Sequence, residues 1–384
     1  MLVSRPSIVR QGVARVNARV ATVIAVIQSF LLFVHLFIYE TWISLTGVPH
    51  QPWLSALQIA FALLSVSFLS SSLLAHRFFD RPVRAFYRVA SVWLGFVNFA
   101  FAAACLAWIA VGLTIIFNLP FGQSQVAFFF FGLALVATLY GLVNAATLRI
   151  NRITVKLPGL PASWRGRVAA LVTDTHLGHI KGRSFITRIV ATLRQLHVDV
   201  LFISGDMFDG THVDAQRLAA PWRQLTPKFG SYFVTGNHDE FSQAAHYLDA
   251  IRDSGIRVLH NETVDLDGLQ VLGVAYHDSA NPERFHSILA NADLDRTRAS
   301  VLLSHVPHSL PIPEERGISL QLSGHTHGGQ IFPFTWFTSR IFGVYTYGLK
   351  RFGELLVYTS SGAGTWGPPL RVCTAPEIVL IHFE

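Results

Sequence analysis

Asp174-Thr175-His176, Gly205-Asp206-Met207-Phe208-Asp209, Gly236-Asn237-His238-Asp239, Ser304-His305 and Gly324-His325-Thr326-His327 gather carboxylate, carboxamide and imidazole donors into five short stretches. Oxygen and neutral imidazole donors in this mixture bind divalent first-row metals without redox chemistry, and no cysteine takes part. The chemistry such a set supports is metal-assisted hydrolysis, in which cations neutralise charge on a reacting centre and acidify water. In an extended chain successive side chains alternate faces, so Asp174 and His176, two apart, can point into one pocket. His325 and His327 repeat the device.

The elements that must position these donors follow from the intervening sequence. Each stretch ends or follows an apolar, β-rich run: 167–172, 198–204, 231–235, 300–303 and 318–323. Between runs lie segments of helical spacing, such as 185–197, 214–225 and 243–254. The pattern is β-α-β-α with donors where strands stop, which is where open α/β sheets bind ligands. Gly205, Gly236 and Gly324 precede donors or their neighbours, as a tight turn or a close backbone approach requires.

The order D-x-H, G-D-x-x-D, G-N-H-D, H, G-H-x-H resembles the signature of the calcineurin-like metallophosphoesterase superfamily. The likeness runs over roughly residues 160–384, and Gly324-His-Thr-His-Gly-Gly-Gln330 is similar to a branch with membrane-attached members. The resemblance implies a layered α/β/β/α sandwich with metal ligands at strand C-terminal ends. It implies that Asp174, His176 and His327 hold a first metal and Asn237, His305 and His325 a second, with Asp206 bridging them. A hydroxide held between the two would attack phosphorus. His238 is then the implied donor to the leaving oxygen, with Asp239 orienting it, and Asp209 is expected to fix a ligand histidine without binding metal itself. The donor mixture favours manganese, iron or zinc over magnesium. His179, His277 and His308 are expected to be loop residues.

The front of the chain is of a different kind. With 51% hydrophobic and 14% charged residues, the protein is too apolar for two soluble domains. Four apolar runs, residues 20–39, 53–74, 89–117 and 126–148, are each near or above the ~20 residues that cross a bilayer. Basic residues set the expected orientation. Arg5, Arg10, Arg15 and Arg19, then Arg77, Arg81, Arg84 and Arg88, then Arg149, Arg152 and Lys156 flank alternate ends of the runs. The opposite connections, 40–52 and 118–125, contain no lysine or arginine. Both termini and the C-terminal domain are therefore predicted to be cytoplasmic. A cleaved signal peptide shares the basic tail, but the first run is long, lacks a small-x-small site and is followed by three more. His35 is the near-central ionisable group, so the helices read as an anchor more than as a conduit.

The net charge of +7 raises the question of nucleic acid. Residues 1–150 hold nine Lys/Arg against two Asp/Glu, whereas 151–384 hold 21 of each. The basicity is thus a topology signal, and no nucleic-acid partner is expected. Cys105 and Cys373 are not expected to pair.

The sequence predicts a four-helix transmembrane domain over 1–150, a short linker and first strand over 151–167, and a catalytic domain over 168–384. The function expected is a membrane-anchored phosphohydrolase with two divalent metal ions, cleaving a phosphodiester or pyrophosphate that is lipid-linked or lies at the membrane surface. The same chemistry on a soluble phosphoester, or a non-catalytic metal-binding scaffold, are the alternatives. An aromatic segment after the last histidine, 331–342, is expected either as a lip towards lipid or as a packed lid or core hairpin.

Overall fold

Four long apolar helices precede two β-sheets in the computed structural model, which describes residues 7–48, 52–240 and 244–384, with backbone alone for 7–20 and 52. Arg5, part of the 40–52 connection and Gln243, where a helix was expected to begin, lie outside the described residues. The chain divides into two units: Met1–Leu74 with Val89–Thr138, and Ala75–Arg88 with Leu139–Glu384.

The helices are α1 (Ser7–Thr46), α2 (Pro52–Ala75), α3 (Arg81–Ile116) and α4 (Gln123–Ala146). Stretches of 26, 23, 36 and 24 residues in them are long and apolar enough to cross a membrane. α3 starts earlier than the apolar run suggests, because Asp80 caps it. The Asp80 carboxylate accepts from the Val83 amide at 2.9 Å, which carries Arg81, Arg84 and Arg88 into the first turns of the helix. Within the first unit, α3 turns a stripe of small residues inward: Ala100, Ala103, Ala104 and Ala107 are buried. His35 is fully partnered there. Its Nε2 accepts from the Trp93 indole at 2.9 Å and its Nδ1 faces the Leu31 carbonyl at 2.7 Å.

Among the described residues the second unit contains twelve strands: β1 (Arg149–Val155), β2 (Val168–Val172), β3 (Val200–Ser204), β4 (Ser231–Val234), β5 (Arg257–Val258), β6 (Glu262–Leu266), β7 (Leu269–Gly273), β8 (Ser300–Leu303), β9 (Leu320–Ser323), β10 (Gly348–Phe352), β11 (Leu355–Thr359) and β12 (Glu377–Phe383). Two six-stranded sheets result, ordered β1-β12-β2-β3-β4-β5 and β10-β11-β9-β8-β7-β6. β2, β3 and β4 run parallel in one, β7, β8, β9 and β11 in the other. The helices are α5 (Arg183–Leu196), α6 (Ala215–Ala219), α7 (Ala244–Asp253), α8 (Tyr276–Ser279), α9 (Pro282–Asn291), α10 (Pro311–Arg316) and α11 (Phe334–Phe342).

Side-chain alternation explains the layering. In β2, Ala169 and Leu171 enter the core between the sheets while Ala170 and Val172 face helices. β3 repeats this with Val200 and Phe202 against Leu201 and Ile203. Strands buried on both faces read as continuous apolar runs, as parallel strands do. On the first sheet's outer face, α5 presents Ile186, Ile189, Val190 and Leu193, the spacing of one helical face. Phe285 and Leu289 of α9 cover the second sheet with Leu302 and Val357. The result is the α/β/β/α sandwich. The helix expected over 214–225 divides into α6 and a 3-10 turn, Ala220–Gln224, because Pro221 withholds the next amide donor.

Candidate metal centre

β2, β3 and β4 of one sheet and β8 and β9 of the other end close together, and a donor stands two or three positions past each end: Asp174, Asp206, Asn237, His305 and His325. His176 and His327 lie one alternation further along their loops. Five of these residues have left-handed backbone: Asp174 (φ 52°), His176 (44°), Asp206 (53°), His325 (68°) and His327 (51°). For non-glycine residues each such conformation costs of order 1–3 kcal/mol and persists where surroundings over-determine it, typically at functional sites.

The side chains meet. His176 Nε2 is 3.0 Å from His327 Nε2, 3.9 Å from Asp174 Oδ1 and 3.7 Å from Asp206 Oδ2. His327 Nε2 is 3.5 Å from Asp174 Oδ1, and His305 Nε2 is 3.3 Å from Asp206 Oδ2. His325 Nδ1 lies 3.0 Å from Asn237 Oδ1. Three overlapping groups have donor atoms within 4.8 Å of one another: Asp174, His176 and His327; His176, Asp206 and His238; Asp206, His305 and His325.

Neighbouring groups fix these donors. The Asp174 carboxylate accepts from the His325 amide at 3.1 Å and from the Thr173 hydroxyl. Asp206 Oδ1 accepts from the His238 amide at 2.9 Å. His305 Nδ1 faces the Ser204 carbonyl at 2.7 Å, so that nitrogen carries the proton and Nε2 turns inward. The Asp239 carboxylate accepts from the amides of Asp206 (2.7 Å), Gly236 (2.9 Å) and Phe208 (3.2 Å), so what it orients directly is backbone on two sides of the site. His238 Nδ1 faces the Asp209 carbonyl at 3.0 Å, while the Asp209 carboxylate accepts from the Thr211 and His179 amides. Of the loop histidines, His179 is fully buried, with Nε2 3.2 Å from the Ala75 carbonyl, and His308 lines a cleft beside His325.

Two observations test whether these residues fit cations. His305 Nε2, the ring nitrogen that faces Asp206 Oδ2 at 3.3 Å, is buried without a hydrogen-bond partner. The backbone is also cleared around the carboxylates. A Cβ on Gly236 would fall 2.2 Å from Asp206 Oδ1, and one on Gly324 2.2 Å from Asp174 Oδ2. Electrostatics agree with this fit. Burial pushes His176 and His325 down to about 3 and His327 well below its usual value, leaving the neutral imidazole that coordinates metal. Burial raises Asp174 to about 6, helped by the charge of Asp206. At Asp206 burial pulls the same way, but the charge of the adjacent His305 outweighs it and holds the carboxyl well below its usual range. Burial would lower His305; the adjacent Asp206 charge, then Asp174, lift it to about 10. A divalent cation replaces that proton as the compensating charge.

The sequence profile of the family described as calcineurin-like phosphoesterase matches residues 168–329. An uncharacterized metallophosphoesterase of Campylobacter jejuni is 31% identical over 257 residues, 65% of this chain and 67% of that protein. The chain belongs to the calcineurin-like phosphoesterase family. As such it is a metal-dependent phosphoesterase, a hydrolase. Two proteins named transmembrane protein with metallophosphoesterase domain are also similar: that of Danio rerio is 32% identical over 275 residues, that of Bos taurus 30% over 271. These alignments cover 64% and 65% of this chain and 60% of each relative, so the chain spans about three fifths of the length of these two relatives.

One residue of this phosphoesterase site escaped the sequence reading. Arg371 is fully buried and donates to the carbonyls of His327 (2.9 Å), Ser361 (2.7 Å) and Gly364 (2.7 Å), with Nη2 3.1 Å from His327 Nδ1. It lies 44 positions beyond His327 in a loop without a motif, and a lone arginine there carries no signal.

Proposed function

We propose that this phosphoesterase holds two divalent cations and hydrolyses a phosphodiester or pyrophosphate presented at the membrane surface, with a lipid-linked phosphoester as substrate class. The observation that carries the reading is the pair of donor groups, Asp174-His176-His327 and Asp206-His305-His325, linked through the group that contains His176, Asp206 and His238. On this reading Asp174, His176 and His327 hold one cation, Asn237, His305 and His325 the other, and Asp206 reaches both; manganese, iron or zinc suits the donors. When bound, the cations supply Lewis-acid polarisation of phosphoryl oxygens and an acidified water.

The chain's own groups do the rest. Asp239 fixes the amides of Asp206 and Gly236, and Arg371 holds the loop of His327. His238 has its Nδ1 proton directed to the Asp209 carbonyl and Nε2 turned to the site; as the imidazolium it gives the Nε2 proton to the leaving oxygen and returns to the neutral Nδ1–H form. His238→Ala is then expected to keep the metal content and slow turnover about a hundredfold. Elemental analysis beside steady-state rates checks this, and loss of metal would make His238 a ligand.

Within this proposal residues 1–150 form the membrane domain, 151–167 a linker with its first strand, and 168–384 the catalytic domain on the cytoplasmic side. Cysteines introduced at Gly47 and at Glu384 should be labelled by an impermeant maleimide from opposite sides of the membrane. Labelling from one side would reverse that topology. Turnover of bis-p-nitrophenyl phosphate by the manganese-loaded protein tests the enzyme itself, and metal bound without turnover would leave a scaffold. A rate advantage for micellar lipid phosphoesters over soluble nucleotides tests the substrate class.

A further inference from the structure

α11 is built inside out. Phe334, Phe337 and Ile341 share one face at i, i+3 and i+7, and that face is exposed, Ile341 by 73%. Trp336 beside them is 51% exposed, and no residue of the helix is buried. The half-buried side holds Thr335, Thr338 and Phe342, and the Thr346 hydroxyl donates to the Thr338 carbonyl at 3.2 Å. A short helix that leaves Phe334, Trp336, Phe337 and Ile341 exposed while two threonines take places on its half-buried side does not suit water. Phe332, Val344 and Trp366, the last 58% exposed, extend the apolar surface. Exposed contiguous apolar surface of this kind marks an interaction site.

The surroundings say what covers it. Gln330, immediately before this segment, donates to the carbonyls of Trp366 and Pro368 at 2.9 Å each and accepts from the Trp366 amide at 3.0 Å and the Val372 amide at 3.0 Å. The same loop is bound to the end of α4: the Arg371 amide donates to the Gly141 carbonyl at 3.0 Å, and Asn144 Nδ2 donates to the carbonyls of Arg371 (2.9 Å) and Thr374 (2.7 Å). Gly141 and Asn144 belong to a span-length apolar helix whose Leu139, Tyr140 and Val143 remain exposed. At 1.5 Å per residue, Gly141 stands about 8 Å from the helix end at Ala146, the depth of a bilayer interface. The loop that carries Trp366 and anchors α11 is thus fixed at the level where the span's apolar surface ends. Arg340, stacked on Trp336 at 5.2 Å, supplies the cation that interfacial helices direct to phosphate headgroups.

We propose that α11, with Phe332 and Trp366, lies in the lipid interface as a second membrane contact of the phosphoesterase. Ile341 and Phe342 of this lip also line a cleft of 620 Å3 that reaches His325, with Leu310, Tyr345 and Phe352 among its walls. The lip therefore lies on the path by which the apolar part of a membrane amphiphile would reach the metal centre. That consequence rests on the membrane-surface reading above; the lipid contact itself does not.

The test uses full-length protein, one copy per nanodisc, with Cys105 and Cys373 replaced by serine. Bimane is attached at Phe337→Cys or, as a second site, Ile341→Cys, and at Glu354→Cys on the β10–β11 turn as an aqueous control. With doxyl-labelled phosphatidylcholine in the disc, emission from both lip positions is expected to fall at least twofold while the control is unchanged. Quenching at the lip no greater than at Glu354 would overturn the proposal, including the case in which a second copy of the chain covers the patch. Discs that hold the unlabelled protein with Phe337 and Ile341 intact are assayed with bis-p-nitrophenyl phosphate and manganese. Turnover without quenching removes the lip alone, and quenching without turnover removes the enzymatic reading alone.

Discussion

Asp206→Asn is expected to lower turnover of bis-p-nitrophenyl phosphate about a thousandfold, equivalent to ~4 kcal/mol of barrier. Among the described residues Asp206 is the carboxylate shared by two of the three donor groups, one with His176 and His238 and the other with His305 and His325. In the proposed two-cation site the cations would repel, and an anion between them would offset that repulsion. The amide of asparagine keeps the shape and removes the charge. Because Asp206 is also the main group that raises His305, the substitution leaves the site short of one negative charge whether or not metal is present. Elemental analysis should show metal content falling with the rate. Full activity in Asp206→Asn would refute the shared role.

Arg371→Met is expected to act through stability as well as rate. The guanidinium is buried among carbonyls of residues 327, 361 and 364, and its removal leaves those acceptors without their donor. A buried polar group left without its partner costs about 1–3 kcal/mol, so a fall of several degrees in melting temperature is expected for a domain of this size. Burial lowers Arg371 to about 10, with Asp174 and Glu377 opposing the fall, so it stays cationic at neutral pH. Arg371→Lys keeps the charge but not the planar fork, and is expected to recover part of the stability while leaving His327 poorly held. A melting curve together with metal content separates the effects. Unchanged metal affinity in a folded Arg371→Met protein would show that the arginine supports only the loop.

The sandwich and its donors were legible because they are local in sequence. Strands buried on both faces give unbroken apolar runs such as 168–172 and 200–204, and donors two or three positions beyond them need no long-range information. Features closed by distant pairing were not legible. β12 lies between β1 and β2 although it comes last in the chain, and no spacing announces that order. Arg371 is found only when the loop after β11 folds back on His327. The aromatic segment was open to two readings because its composition suits a lip towards lipid and a packed lid or core hairpin equally. What separates them is which face the fold turns inward, and that is set by Thr346 and its neighbours. The early start of α3 rested on a single cap, Asp80, at the edge of a basic stretch that reads as loop.

Only Thr147 and Leu148 separate α4 from β1, and β1 is hydrogen-bonded along its whole length to β12. The chain leaves the apolar helix without slack, while Asn144 grips the loop whose Arg371 holds His327. A tilt of α4 to match a thicker or thinner bilayer is therefore a load on the ligand geometry, carried through a few stiff hydrogen bonds. Acyl-chain length in the surrounding membrane is thus expected to alter turnover, which rates in bilayers of graded thickness would show.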